Sequence, residues 1–129
     1  MTKVGQMPLR AGGVCPIGFR TMILKAKTSV WLENERGQTI MDPEIYQILK
    51  AIYLVGSMSK AAEKVRKQFR RVWGIVKETE AVYGRPLVET GPNGSRLTEE
   101  GYRLLVKYEE LAKTCKRSAN TKFRKIFYF

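Results

Sequence analysis

At 129 residues and 43% hydrophobic content, the chain is long enough for one domain with its own core, with or without help from a partner chain. It carries 24 Lys and Arg against 12 Asp and Glu, a formal net charge of +12, and no histidine. Two distant cysteines, Cys15 and Cys115, exclude a disulfide framework and any familiar zinc pattern, and no apolar run approaches the roughly 20 residues of a membrane span.

Residues 1–21 hold four glycines and two prolines with little periodicity and read as a flexible arm. They lack a continuous signal-peptide segment, so a soluble, cytoplasmic protein in a reducing compartment is expected. MILKAKTSVWLEN, from Met22, predicts a strand; ERGQ is its turn and TIM a short returning strand. In DPEIYQILKAIYLVG, Asp42 is a candidate N-cap and Pro43 takes the first helical position. Ile45, Ile48, Leu49 and Ile52 share one face, and Gly56 ends the helix. A second, short helix, SKAAEKV, is expected with Ser59 as its cap and Ala61, Ala62 and Val65 small enough for close packing.

A third helix runs from about Gln68 to Tyr83 and is closed by Gly84. At about 100° per residue, Phe69, Val72, Trp73, Val76 and Tyr83 fall on one side, expected to be core. Lys67, Arg70, Arg71, Gly74, Glu78 and Ala81 come out opposite, with Lys77 on the flank. PLVET, GPNG and SRLT then punctuate a β-hairpin. Thr98 caps a last helix, with Glu99 and Glu100 in its first turn, where acids suit the helix dipole. Leu104, Leu105, Tyr108, Leu111, Ala112 and Cys115 form its apolar stripe, expected to run to about residue 115. Residues 116–129 form a basic and aromatic tail, read either as a polybasic extension or as a segment that folds back on the domain or a partner.

The positive charge is concentrated. Residues 1–21 hold three cations and no acid, and residues 116–129 hold five and none. Lys60 to Arg71 nets +5, which leaves −1 for the rest of the chain. A solvated structural surface usually mixes signs, so a polyanion partner is expected. The order of elements, two short helices with the second cationic on its outer face and then a hairpin, is that of a winged helix-turn-helix. A helix about 10–12 Å across fits the roughly 12 Å major groove of B-DNA. The hairpin, with Arg96 and the amides near Asn93 and Gly94, would meet neighbouring phosphates or the minor groove.

The residues also resemble a family. GSMSKAAEKV, FRRVWGIVKE, GRPLVE and RLTEEG, in that order, look like the N-terminal DNA-binding domain of ModE-type, molybdate-responsive regulators and, more distantly, of LysR-type regulators; the likeness covers roughly residues 22–112. It implies an α+β winged helix-turn-helix preceded by a β-hairpin and followed by a long dimerisation helix. The wing GPNGS is shorter than the family's, and Arg66 and Gln68 stand where the family's turn offers a glycine and a serine cap. The family's oxyanion-binding domain has no counterpart after residue 115, so DNA binding and dimerisation are carried over and molybdate sensing is not.

The expected organisation is thus an arm over 1–21, a winged-helix domain over 22–115 with its dimerisation helix over 98–115, and a tail over 116–129. Expected contacts to double-stranded DNA are Lys60, Lys64, Arg66, Lys67, Gln68, Arg70, Arg71, Gly74 and Lys77, with Asn93, Gly94, Ser95 and Arg96 in the wing. Leu104, Leu105, Tyr108, Leu111 and Cys115 are expected to join two copies. A sequence-specific transcription regulator without cofactor, metal or small-molecule effector leads the reading. A nucleoid architectural protein, an RNA-binding protein and an adaptor for an acidic partner are the alternatives. No nucleophile motif, phosphate loop or clustered acids support an enzyme.

Overall fold

The computed structural model describes residues 23–128; the expected arm lies outside the described residues. β1 (Leu32–Glu33) and β2 (Thr39–Met41) form a small antiparallel hairpin. Its turn is organised by Asn34, whose side-chain oxygen accepts from the amides of Arg36 (2.9 Å) and Gln38 (3.0 Å). The long strand expected from Met22 is therefore short. Only three residues of β2 face it, and residues 23–31 lie outside any ladder. They run instead beside the last helix, where Tyr108 Oη donates to the Val30 carbonyl at 2.8 Å and Leu24 N donates to Tyr128 Oη at 3.3 Å.

α1 (Pro43–Val55) starts as the residues dictate. Asp42 Oδ1 accepts from Ile45 N at 2.8 Å, and Gly56, at φ 70°, ends the helix. α2 (Met58–Lys64) is capped by Ser57, whose Oγ accepts from Lys60 N at 3.3 Å, and not by Ser59. Ending α1 at Gly56 leaves Ser57 extended and ready to cap, and Met58 then turns into the core. α3 (Phe69–Tyr83) follows, closed by Gly84 at φ 88°. β3 (Val88–Gly91) and β4 (Gly94–Leu97) pair with Gly91 opposite Gly94, so Pro92 and Asn93 make a two-residue turn.

α4 (Glu99–Phe127) is capped by Thr98, whose hydroxyl accepts from Gly101 N at 3.0 Å while donating to the Pro86 carbonyl at 2.8 Å. Its 29 residues make it about 43 Å long at about 1.5 Å per residue. The helix expected to stop near residue 115 continues to Phe127. No Gly or Pro occurs after Gly101 to stop it, and Arg124 and Lys125 in the last turn suit the carboxyl end of the dipole.

Met41, Ile48, Leu49, Ile52, Val72, Leu87 and Leu105 are fully buried and join β2, α1, α3, the approach to the wing and α4 in one core. Beside it, Glu109 of α4 accepts from Tyr46 Oη (2.5 Å) and Lys50 Nζ (2.6 Å) of α1. The two donors, Lys50 first, hold the Glu109 carboxyl below its ordinary range. Burial, reinforced by that carboxylate, pushes the Tyr46 phenol up to about 12.

Candidate nucleic-acid interface

α3 is held in place from both flanks. Glu44, in the first turn of α1, accepts an ion pair from Lys67 (3.0 Å) and another from Arg71 (3.2 Å). These cations, Lys67 first, hold its carboxyl below the ordinary range against a smaller opposing effect of burial. Toward the far end of the helix, Glu80 Oε2 accepts from the amides of Leu87 (2.7 Å) and Val88 (3.0 Å), tying α3 to the base of the wing. Nothing in the sequence pattern singles out Glu44 or Glu80 for these roles. Glu44 is far in sequence from the cations it meets, so its pairing becomes visible only in the fold.

The inward face of α3 is narrower than the periodicity suggests. Val72, Val76 and Thr79 are buried, with Ile75 and Tyr83 packed against the core. Phe69 and Trp73, expected in the core, are instead 49% and 47% exposed. At 100° per residue Trp73 lies a quarter-turn from Val72, past the arc of α3 that packs on α2, β2 and α1, whereas Phe69, close to Val76 in angle, is the first residue of α3 and has no preceding turn of this helix to cover it. Lys77 Nζ sits 5.6 Å from the Trp73 ring centroid, within cation–π range.

Of the expected contacts, Lys60, Lys64, Arg66, Gln68, Arg70, Arg71 and Lys77 are exposed, while Lys67 and Gly74 are partly so. A Cβ built on Gly74 meets nothing within 4 Å, so open space lies over that face. Arg70 has no ion-pair partner among the described residues. Gln68 starts α3 without a side-chain cap, which leaves first-turn amides free for an outside acceptor. Arg66 occupies the turn at φ 59°, the left-handed conformation usually given to glycine.

In the wing, Asn93 is exposed and Arg96 pairs with Glu89 at 3.2 Å on the surface. Gly94, at φ 116°, packs against the turn after α1: a Cβ there would come 2.3 Å from the Gly56 oxygen. Ser95, expected as a surface contact, is 5% exposed. Its amide donates to Gly56 O at 3.0 Å and its hydroxyl faces that of Thr90 at 3.4 Å, because docking the wing on α1 turns this position inward. On α4, Leu105 and Tyr108 are 2% and 4% exposed and serve the protomer's own core. Leu104, Leu111 and Cys115, at spacings of seven and four, share a side next to it: Leu104 is half-buried against the core, Cys115 is half-buried and Leu111 is 40% exposed.

Among the described residues no group of three His, Cys, Asp or Glu could hold a metal, and no helix is long and apolar enough to cross a membrane. No family model matches the chain, and no curated protein matches it by sequence. Solved structures do match by shape. The DNA-binding domain of CbnR in complex with DNA has a TM-score of 0.58 at 21% identity, over 67% of this chain and 99% of that one. The BenM DNA-binding domain on its benA site 1 DNA has 0.58 at 19%, over 69% of this chain and 100% of that one. Full-length CbnR on its target DNA has 0.57 at 21%, but the match spans only 29% of that chain. CbnR is a LysR family transcriptional regulator. At these identities the likeness is one of architecture, and the chain has the winged helix-turn-helix fold of such DNA-binding domains.

Proposed function

We propose that the protein is a double-stranded DNA-binding transcription regulator that recognises specific sites as a homodimer. One observation carries the reading: the outward face of α3, with Arg70, Arg71, Gly74 and Lys77 and with Lys67 just before the helix, is cationic, open and held beside the wing. This arrangement suits insertion of α3 into the major groove. Lys60, Lys64 and Arg66 approach one flanking phosphate strand, and Asn93 and Arg96 the other. The structures it resembles were solved on DNA, which supports the assignment. The side of α4 that carries Leu104, Leu111 and Cys115, where Leu111 is exposed, is the surface for a second copy. The four ordered sequence pieces support a nearer likeness to ModE-type domains within this architecture.

Selection of bound duplexes from a random pool tests the proposal, because it reports base preference and half-site spacing together. Two half-sites about one helical turn apart are expected. If about six to ten phosphates are neutralised per dimer, log affinity falls with log salt at a slope of about −5 to −9. Arg70→Ala combined with Arg71→Ala should abolish site preference with little loss of stability, since both side chains are exposed. Binding without preference would leave an architectural protein, and full affinity in the double variant would place the interface elsewhere.

A further inference from the structure

The two aromatic side chains on the open flank of α3 have no role in the core. Phe69 and Trp73 stand one helical turn apart and each leaves about half its surface in solvent. Arg70 lies beside them, and Lys77, one more turn along, rests over the Trp73 ring. A phosphate-binding helix needs none of this apolar surface. Two large rings among cations at the leading end of a groove-binding helix need an apolar partner inside the groove.

In the major groove that partner is the C5 methyl group of thymine, the one apolar group a base edge presents there. We infer that Phe69 and Trp73 read thymine methyls, while Arg70 supplies the polar contact between them. The inference rests on the DNA-binding reading above and specifies what the same face recognises. The site is selective for duplexes with thymine at one or two fixed positions in each half-site. Lys77 holds the Trp73 ring in place by its cation–π contact. Phe69, the first residue of α3 and half exposed, stands at the end of the helix that the proposal puts into the groove.

Replacing thymine by deoxyuridine deletes that methyl and leaves the hydrogen-bonding edge unchanged. In the preferred duplex obtained by selection, deoxyuridine at each thymine in turn should weaken binding by the unaltered protein about fourfold at the contacted positions, the worth of one buried methyl. 5-Bromodeoxyuridine, which restores the bulk, should restore affinity. Phe69→Ala and Trp73→Ala should each bind the thymine duplex more weakly and lose sensitivity to deoxyuridine at one position. If the unaltered protein is indifferent to every such replacement, the inference is overturned while DNA binding stands. Undiminished sensitivity in both variants overturns it equally. Failure to bind any duplex overturns this inference and the DNA-binding reading together.

Discussion

If α3 and its flanks bind DNA as proposed, Arg66 is where stability and binding pull in opposite directions. It sits in the turn between α2 and α3 at φ 59°. The left-handed region costs an ordinary residue about 1–2 kcal/mol. Glycine would remove that strain but add about 0.5–1 kcal/mol of entropy to the unfolded chain. The Arg66 side chain is exposed and has no salt bridge among the described residues, so it contributes little packing. The turn's backbone bonds, Arg66 N to Glu63 O (3.0 Å) and Lys67 N to Ala62 O (2.9 Å), survive the change. Arg66→Gly should therefore stabilise the fold by about 0.5–1 kcal/mol, or roughly 2–6 °C in Tm for a domain near 100 residues. The same change removes a cation from the proposed DNA-facing side. The magnitude of the log-log salt slope should fall by about 0.9 for each phosphate that is no longer neutralised. Thermal melts and fluorescence titrations at four salt concentrations read the two effects separately, and Arg66→Lys should leave both near the parent. A glycine variant less stable than the parent would refute the strain argument. An unchanged salt slope would remove Arg66 from the interface.

The remaining expectations concern the scaffold that presents α3. Gly101→Ala would put a Cβ 2.2 Å from the Leu87 carbonyl oxygen and 3.1 Å from its carbon. The gain in helix propensity of about 1 kcal/mol is outweighed, and urea denaturation should show a net loss of about 2 kcal/mol; a stabilised variant would mean that α4 and the wing do not meet there. Glu109, held below its ordinary value of 4.5 by Lys50 and Tyr46, lends stability that is present above that pH and lost as pH falls through the lower folded value. Glu109→Gln should flatten the stability-versus-pH curve on that acid side, and curves of equal steepness would refute the coupling. Glu44→Gln should strengthen duplex binding at low salt and steepen the salt dependence by about one unit of slope, read in the same titrations. Parallel lines for parent and variant would take Glu44 out of the DNA's field.

Much of the fold is legible in the sequence because local signals agree with one another. Asp42, Pro43 and Gly56 bound α1, Thr98 starts α4, and the GPNG turn sets the wing, each through chemistry that acts within a few residues. The difficulties arise where several answers satisfy the local rules. Ser57 and Ser59 can both cap a helix, and only the end of α1 at Gly56 decides between them. Apolar spacing puts Phe69 and Trp73 with Val72 and Val76, but how wide an arc of α3 is covered depends on what packs there, which a single helix does not encode. The end of α4 is hard to place because its apolar stripe stops before the helix does. Backbone propensity continues without a breaker well after the last core residue. Ser95 turns inward for a tertiary reason, the docking of the wing on Gly56.

The acids around α3 bear on how a net-positive face can also be an ordered one. Six cations from Lys60 to Arg71, with Glu63 the only acid among them, would repel one another and spread over many rotamers. Glu44 meets two of them from outside the run, fixing Lys67 and Arg71 while cancelling only one of their charges. Exposed pairs of this kind contribute at most about 1 kcal/mol to folding. Their larger effect is on binding, because each side chain ordered beforehand spares about 0.5–1.5 kcal/mol on association. Salt weakens the repulsion between Glu44 and the DNA backbone, and it also weakens the exposed pairs that give this ordering. The Glu80 tie to Leu87 and Val88 does for the wing's angle what Glu44 does for the cations. Between these two anchors the side chains of Phe69, Arg70 and Trp73 make no ion pair or hydrogen bond among the described residues, and Gly74 has open space above it. A substitution there changes what α3 touches without changing where α3 stands, so its effect on affinity reports directly on the group removed.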